Sequence, residues 1–165
     1  VINDVYLTKK NINKLTNYLD ILKSVVLIRS IILSNKEINE ILYKYKEFDK
    51  YGNILRQGKK SCIVESVNDA IDIFKCLKYK ELLKIKNVTK VYSNGIDELC
   101  VQLVDDKHIY IEVEDECTRL NKKYSSLEEM KSLFEKYNIK IIENEYFAKK
   151  ALVALKEKYL DFPII

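Results

Sequence analysis

The sequence predicts an α+β protein: an antiparallel sheet with helices outside it. Three observations carry this. Runs of β-branched and alternating residues outnumber helical stripes. Short turns join strand directly to strand at Ser93-Asn94-Gly95 and Asp105-Asp106-Lys107. Strands and helices do not alternate, and no GxGxxG or P-loop glycine run is present, which argues against a parallel nucleotide-binding sheet.

Each element follows from its own pattern. Asp4 to Leu7 reads as a short strand, while Lys9 to Leu22 is polar, Asn-rich and only weakly helical. Ser24 to Leu33 (SVVLIRSIIL) is almost wholly apolar, as a strand buried on both faces should be. After a turn at Asn35-Lys36, Ile38 to Lys46 returns as a strand with Ile41, Tyr43 and Tyr45 on one face and Leu42, Lys44 and Lys46 on the other. A loop around Tyr51-Gly52-Asn53 leads to a strand over Lys59 to Glu65. Ser66 then opens a helix to about Lys78, with Asp69 suited to its N-terminal dipole and Val67, Ala70, Ile71, Phe74 and Leu77 as its apolar stripe.

Leu82 to Tyr92, Glu98 to Val104 and His108 to Glu114 are three further strands. Ser126 with Glu129 forms a capping box for a helix carrying Leu127, Met130, Leu133, Phe134 and Tyr137. Asn144 opens a last helix with Ala148, Ala151, Leu152, Leu155 and Tyr159, which Pro163 ends. The expectation is one domain over residues 1–165, with a helical C-terminal part at about 126–160 and no internal repeat.

Composition narrows the function classes. Hydrophobic residues at 47% and charged residues at 33% suit a globular domain, and 3 Gly with 1 Pro exclude collagen-like or linker-rich readings. No apolar run is long enough to cross a membrane, and the opening Val1-Ile2-Asn3-Asp4 lacks the basic-then-apolar layout of a secretory signal, so the expected location is cytoplasmic. The 29 basic and 25 acidic residues give a net charge of +4, spread along the chain. A nucleic-acid binder usually concentrates its basic residues. With 26 Lys but 3 Arg, beside 21 Ile and 13 Asn, Arg29, Arg56 and Arg119 are the more informative cations. Cys62, Cys76, Cys100 and Cys117 form no CxxC pair, and with His108 they make no recognisable zinc spacing, so reduced thiols are expected.

Arg29 interrupts an otherwise apolar strand and needs an anionic partner if it is buried, either a ligand or a structural carboxylate. On the strand after Lys107, alternation groups His108, Tyr110, Glu112 and Glu114 on one face. Paired carboxylates there are able to hold a divalent cation through oxygen ligands, and they are also what a half-exposed strand looks like. A closed antiparallel sheet can bring such cation and carboxylate sets to face one another in a wet interior.

This order of elements resembles the CYTH superfamily, the triphosphate tunnel metalloenzymes, which include class IV adenylate cyclases, thiamine triphosphatases and inorganic triphosphatases. DVYL looks like the family's second strand, VVLIRSI like its LRIR strand and ILYKYK like the strand that supplies a phosphate-binding lysine. SVNDAIDIFKCLKYKELLKIKNVTKVY resembles a helix ending in an "lGyk" turn followed by the "v.K.R.vY" strand, and VQLVDDKHIYIEVED parallels "DeVeglGdFvEiE". The resemblance implies an antiparallel sheet curled into a tunnel or partial barrel. It implies phosphate-binding roles for Arg29, Lys44 and Lys46, metal-binding roles for Glu112 and Glu114, and Mg2+ or Mn2+ as the metal.

The departures are specific. No ExExK strand stands ahead of Asp4, the acidic pair of the fourth strand falls near Lys60 and Ile63, and the K.R pair falls on Asn87 and Thr89. The next strand's Asp becomes Gln102, and the hairpin glycines are replaced around Asp106 and His108. Losing several ligands removes transition-state stabilisation. Lysine and arginine contacts to phosphate survive such losses better. The expectation is therefore a domain that binds a nucleotide, thiamine or inorganic triphosphate, with metal-dependent triphosphatase or adenylate cyclase chemistry as the family's activity. The alternative is a catalytically inactive member acting as an interaction or structural module, with association through an open sheet edge. A third reading is binding of RNA 5′-triphosphate ends.

Overall fold

A computed structural model describes residues 1–12, 17–49, 54–114, 116–141 and 149–159. The chain is α+β, with a seven-stranded sheet in the order β4-β3-β2-β1-β5-β6-β7. These strands are β1 (Ile2–Thr8), β2 (Ser24–Leu33), β3 (Lys36–Phe48), β4 (Ile54–Val64), β5 (Lys80–Ser93), β6 (Glu98–Val104) and β7 (His108–Glu112). The β1–β2, β2–β3, β3–β4, β5–β6 and β6–β7 ladders are antiparallel. Among the described residues four helices accompany the sheet: α1 (Tyr18–Leu22), α2 (Val67–Cys76), α3 (Leu127–Lys136) and α4 (Lys149–Lys158). Among the described residues no helix is long and apolar enough to cross a membrane. The chain divides into two compact units, residues 1–86 with 144–165, and residues 87–143.

In the first unit, β2 is apolar on both faces because both are covered. Val26 and Ile28 join Val5 and Leu7 of β1 and Ala70 of α2 in one cluster, with Ile41, Val64, Val67, Ile71 and Phe74 around it. On the opposite face Val25, Leu27 and Leu42 are buried, and α1 contacts both β2 and α4. α1 accounts for the end of the weakly helical stretch, and Asn17 caps it by accepting from the Leu19 N–H at 2.9 Å.

α2 begins as its sequence predicts, with Ser66 Oγ accepting from the Asp69 N–H at 3.1 Å. It ends in a Schellman turn. The Tyr79 N–H donates to the Phe74 carbonyl at 2.9 Å, the Lys78 N–H donates to that of Lys75 at 2.9 Å, and the Phe74 and Tyr79 rings meet edge to face at 5.0 Å. Lys78 takes the left-handed position with φ +66°. It is the residue that stands where the "lGyk" pattern has glycine.

In the second unit, the Asn94 side chain accepts from the N–H groups of Ile96 and Asp97 and shapes the β5–β6 turn. Asp105 and Asp106, both left-handed, turn β6 into β7. The small pair β8 (Glu116–Cys117) and β9 (Lys122–Lys123), around the 3-10 turn Thr118–Leu120, has no counterpart in the sequence pattern. The capping box of α3 differs in one bond. Ser126 Oγ accepts from the Glu129 N–H at 3.2 Å, but the Glu129 carboxylate reaches one residue further back, to the N–H and hydroxyl of Ser125.

Several element limits depart from the expectation. β1 and β5 start two residues earlier than Asp4 and Leu82. β3 starts earlier than Ile38 because the β2–β3 ladder runs on to Leu33 opposite Lys36, and β4 starts earlier than Lys59 because the β3–β4 ladder continues to Phe48 opposite Ile54. β7 stops at Glu112, two residues short of Glu114. The expected helix start at Asn144, together with Ala148, Pro163 and the Tyr51-Gly52-Asn53 loop, lies outside the described residues.

Candidate functional site

In the first unit Arg29 and Lys44 sit on the sheet face that bears Leu27 and Leu42. Register places Asp4, Arg29 and Glu40 directly across β1, β2 and β3. Strand alternation turns Arg29 away from the Val26–Ile28 cluster, which puts it among carboxylates instead of leucines. Its Nε donates to Asp4 Oδ1 at 2.6 Å, its Nη2 donates to Asp4 Oδ2 at 2.7 Å, and its Nη1 lies 4.0 Å from Glu40 Oε1. This is a two-point fork on a carboxylate, the strong geometry for arginine. Burial works against the guanidinium charge, but the hydrogen bonds and charge of Asp4, helped by Tyr6 and Glu40, outweigh it and raise the pKa of Arg29.

Lys44 is four residues along β3 from Glu40, about 13 Å at the usual strand rise. Between them lies the directly paired, fully buried couple Leu27 and Leu42. Arg29 and Lys44 therefore share a face but are separated by an apolar row. Lys44 is paired across the ladder with Lys59 of β4. The side chain of Lys46 falls outside the described ones.

In the second unit a chain of side-chain hydrogen bonds reaches Glu112. Thr89 Oγ1 donates to Asn87 Oδ1 at 3.4 Å, Asn87 Nδ2 to Gln102 Oε1 at 2.8 Å, and Gln102 Nε2 to Glu112 Oε2 at 2.6 Å. Asn87 and Gln102 are buried. The positions that carry the K.R pair and the Asp in the resembled pattern thus form a neutral relay to the carboxylate. Glu114 is exposed beyond the strand end. No group of three or more His, Cys, Asp or Glu arranged to hold a metal occurs among the described residues. Burial first, then the charges of Glu114, Glu98 and Glu112, push the buried Cys100 thiol up, so it stays protonated and is a poor nucleophile or ligand. All four cysteines are free thiols, as expected.

Three participants escaped the sequence reading. Asp4 and Glu40, the partners of Arg29, sit in strands whose registers are set by pairing, so their approach is invisible in a linear pattern. Lys59 was legible as the start of a strand, but not as the residue opposite Lys44.

No family model matches the chain, and no curated protein matches it. Its fold is similar to that of three solved structures. PH1819 protein from Pyrococcus horikoshii OT3 is 14% identical at a TM-score of 0.62, over 92% of this chain and 82% of that one. PH1012 protein from the same organism is 19% identical at 0.55, over 84% and 73%. Conserved hypothetical protein Pfu-838710-001 from Pyrococcus furiosus is 20% identical at 0.53, over 84% and 74%. These likenesses concern the fold, an α+β arrangement with a large antiparallel sheet.

Proposed function

We propose that this chain is a CYTH-like, cytoplasmic domain whose sheet curls toward a partial tunnel and binds a triphosphate-bearing small molecule with weak or no turnover. The supporting observation is the direct pairing of Lys44 with Lys59 across β3 and β4. Two lysines side by side across a ladder can both donate charge-assisted hydrogen bonds to one phosphate group. Arg29 lies further along the same face, balanced by Asp4 and Glu40. A ligand phosphate would have to compete with those carboxylates for it.

The donor set suits a divalent cation only in part. Glu112 is the one candidate carboxylate held in a strand, and it supplies a single oxygen-donor side chain where a divalent cation takes about six or more ligands. The neutral Asn87 and Gln102, at positions where the family uses charges, argue for binding over catalysis.

Titration calorimetry with tripolyphosphate, ATP and thiamine triphosphate, each with and without Mg2+, tests the proposal. Binding by at least one is expected, weakened about tenfold by Lys44→Ala, which corresponds to about 1.4 kcal/mol. No heat from any of the three overturns it. Rapid phosphate release abolished by Glu112→Ala would overturn the non-catalytic part alone.

A further inference from the structure

The second half of β3 and the first half of β4 carry aromatic and basic residues on the side opposite to Lys44 and Lys59. Register puts Tyr43 across from Lys60, Tyr45 across from Gly58 and Glu47 across from Arg56, so these positions share one side of the ladder. The apolar cluster against α2 takes in Ile41 on this side but neither tyrosine. Tyr43 is 43% exposed, Tyr45 is half-buried, and Arg56, Lys60 and Glu47 are exposed.

The two tyrosines are held as a pair. Their ring centroids lie 6.3 Å apart, with the planes tilted by 35°. The Tyr45 ring occupies the place that a Cβ of residue 58 would take, so it rests on the strand backbone at Gly58. Aromatic cover of a strand glycine fixes ring and strand together. A ring fixed before its ligand arrives loses little freedom on binding. Successive units along one strand of a duplex are about 3.4 Å apart, and the ring spacing is nearly double that. Each ring therefore suits one base of a strand drawn out of its helical stack. A duplex, whose bases cover one another's faces, suits neither.

Charge points the same way. Lys60 stands directly opposite Tyr43, and Arg56 is two residues from Gly58 beneath Tyr45. Glu47 is the acid of this group. We infer that this side of the β3–β4 ladder binds single-stranded nucleic acid, with Tyr43 and Tyr45 stacking on two bases and Lys60 and Arg56 contacting phosphates. Every base has a face to stack, so the expected sequence preference is weak. The surface requires no 5′-triphosphate end. It lies on the other side of the sheet from Lys44 and Lys59, and so stands independently of triphosphate binding.

Fluorescence anisotropy of the full chain tests this, with 3′-labelled oligouridine and oligothymidine of about twelve nucleotides. Both carry 5′-hydroxyl ends, which offer no triphosphate. Binding of at least one is expected, and the tighter of the two names the preferred sugar. Tyr43→Ala should weaken it about tenfold. Tyr43→Phe, which keeps the ring, should stay within about twofold of wild type. Tyr43 is the position of choice because its exposed ring is removed without uncovering Gly58. Arg56→Ala/Lys60→Ala should reduce the slope of log affinity against log salt by about 1.4, at about 0.7 for each phosphate contact on a single strand. Circular dichroism establishes that each variant is folded. No binding of either strand overturns the inference, as does wild-type affinity in the folded Tyr43→Ala chain. Duplex RNA or heparin bound as tightly as the single strand also overturns it, and leaves a basic surface without a stacking site.

Discussion

Arg29 grips Asp4 across the β1–β2 ladder by two hydrogen bonds, at 2.6 and 2.7 Å, with both side chains largely withdrawn from water. Removing one partner of such a pair leaves a charge without compensation. Asp4→Ala is expected to cost about 3 kcal/mol in urea unfolding. Asp4→Asn keeps an acceptor but removes the charge, so it should cost less and free Arg29 for an anion. Tripolyphosphate should then bind about tenfold more tightly than to wild type, a gain of about 1.4 kcal/mol. Unchanged affinity in calorimetry would detach Arg29 from the ligand.

Asp97 ties the β5–β6 turn to the elements that follow it in the second unit. Its buried carboxylate accepts from Lys122 Nζ at 2.7 Å, Lys136 Nζ at 2.6 Å and the Tyr137 hydroxyl at 2.8 Å. The hydrogen bonds from Lys122, then Lys136, overcome burial and hold it well below the usual carboxylate range, with Tyr137 adding to them. A carboxyl lowered on folding stabilises the native state above its unfolded value of about 3.9, and that stability is lost as pH falls further. The urea midpoint should therefore drop from pH 5 towards pH 2. Asp97→Asn should lower stability at neutral pH by about 2 kcal/mol, since Lys136 is half exposed, and should flatten that acid dependence. An acid profile identical to wild type would contradict this.

Lys78 holds the left-handed turn after α2 with a side chain that this conformation disfavours. Lys78→Gly is expected to stabilise the chain by about 1 kcal/mol, a rise of about 2–4 °C in the melting temperature. Asn138 occupies the equivalent place after α3 with φ +53°, and asparagine tolerates it better. Asn138→Gly should gain less. Melting of the two variants by circular dichroism reads the difference, and a Lys78→Gly chain that melts lower than wild type would refute the assignment.

Much of the architecture was written in local patterns. The alternation around Ile41, the uninterrupted apolar run from Val25 to Ile28, the stripe of α2 and the Ser66 and Ser126 caps each specify their element through side chains close in sequence. The limits of β3 and β4 were not legible, because the start of β3 is strand only through pairing with β2, and the end of β3 and the start of β4 only through pairing with each other. β8 and β9 are too short for any period to show.

The candidate site divides along the same line. That Arg29 breaks an apolar strand, and that Glu112 shares a face with Tyr110, follow from residue order and the two-residue period of a strand. Whether that arginine meets a carboxylate or an open face, that Leu27 and Leu42 part it from Lys44, and that Gln102 reaches Glu112 were settled by ladder registers. Periodicity decides which face a side chain takes, since that depends on its own backbone. Its neighbour across the sheet comes from a distant part of the chain, and only the folded pairing brings the two together.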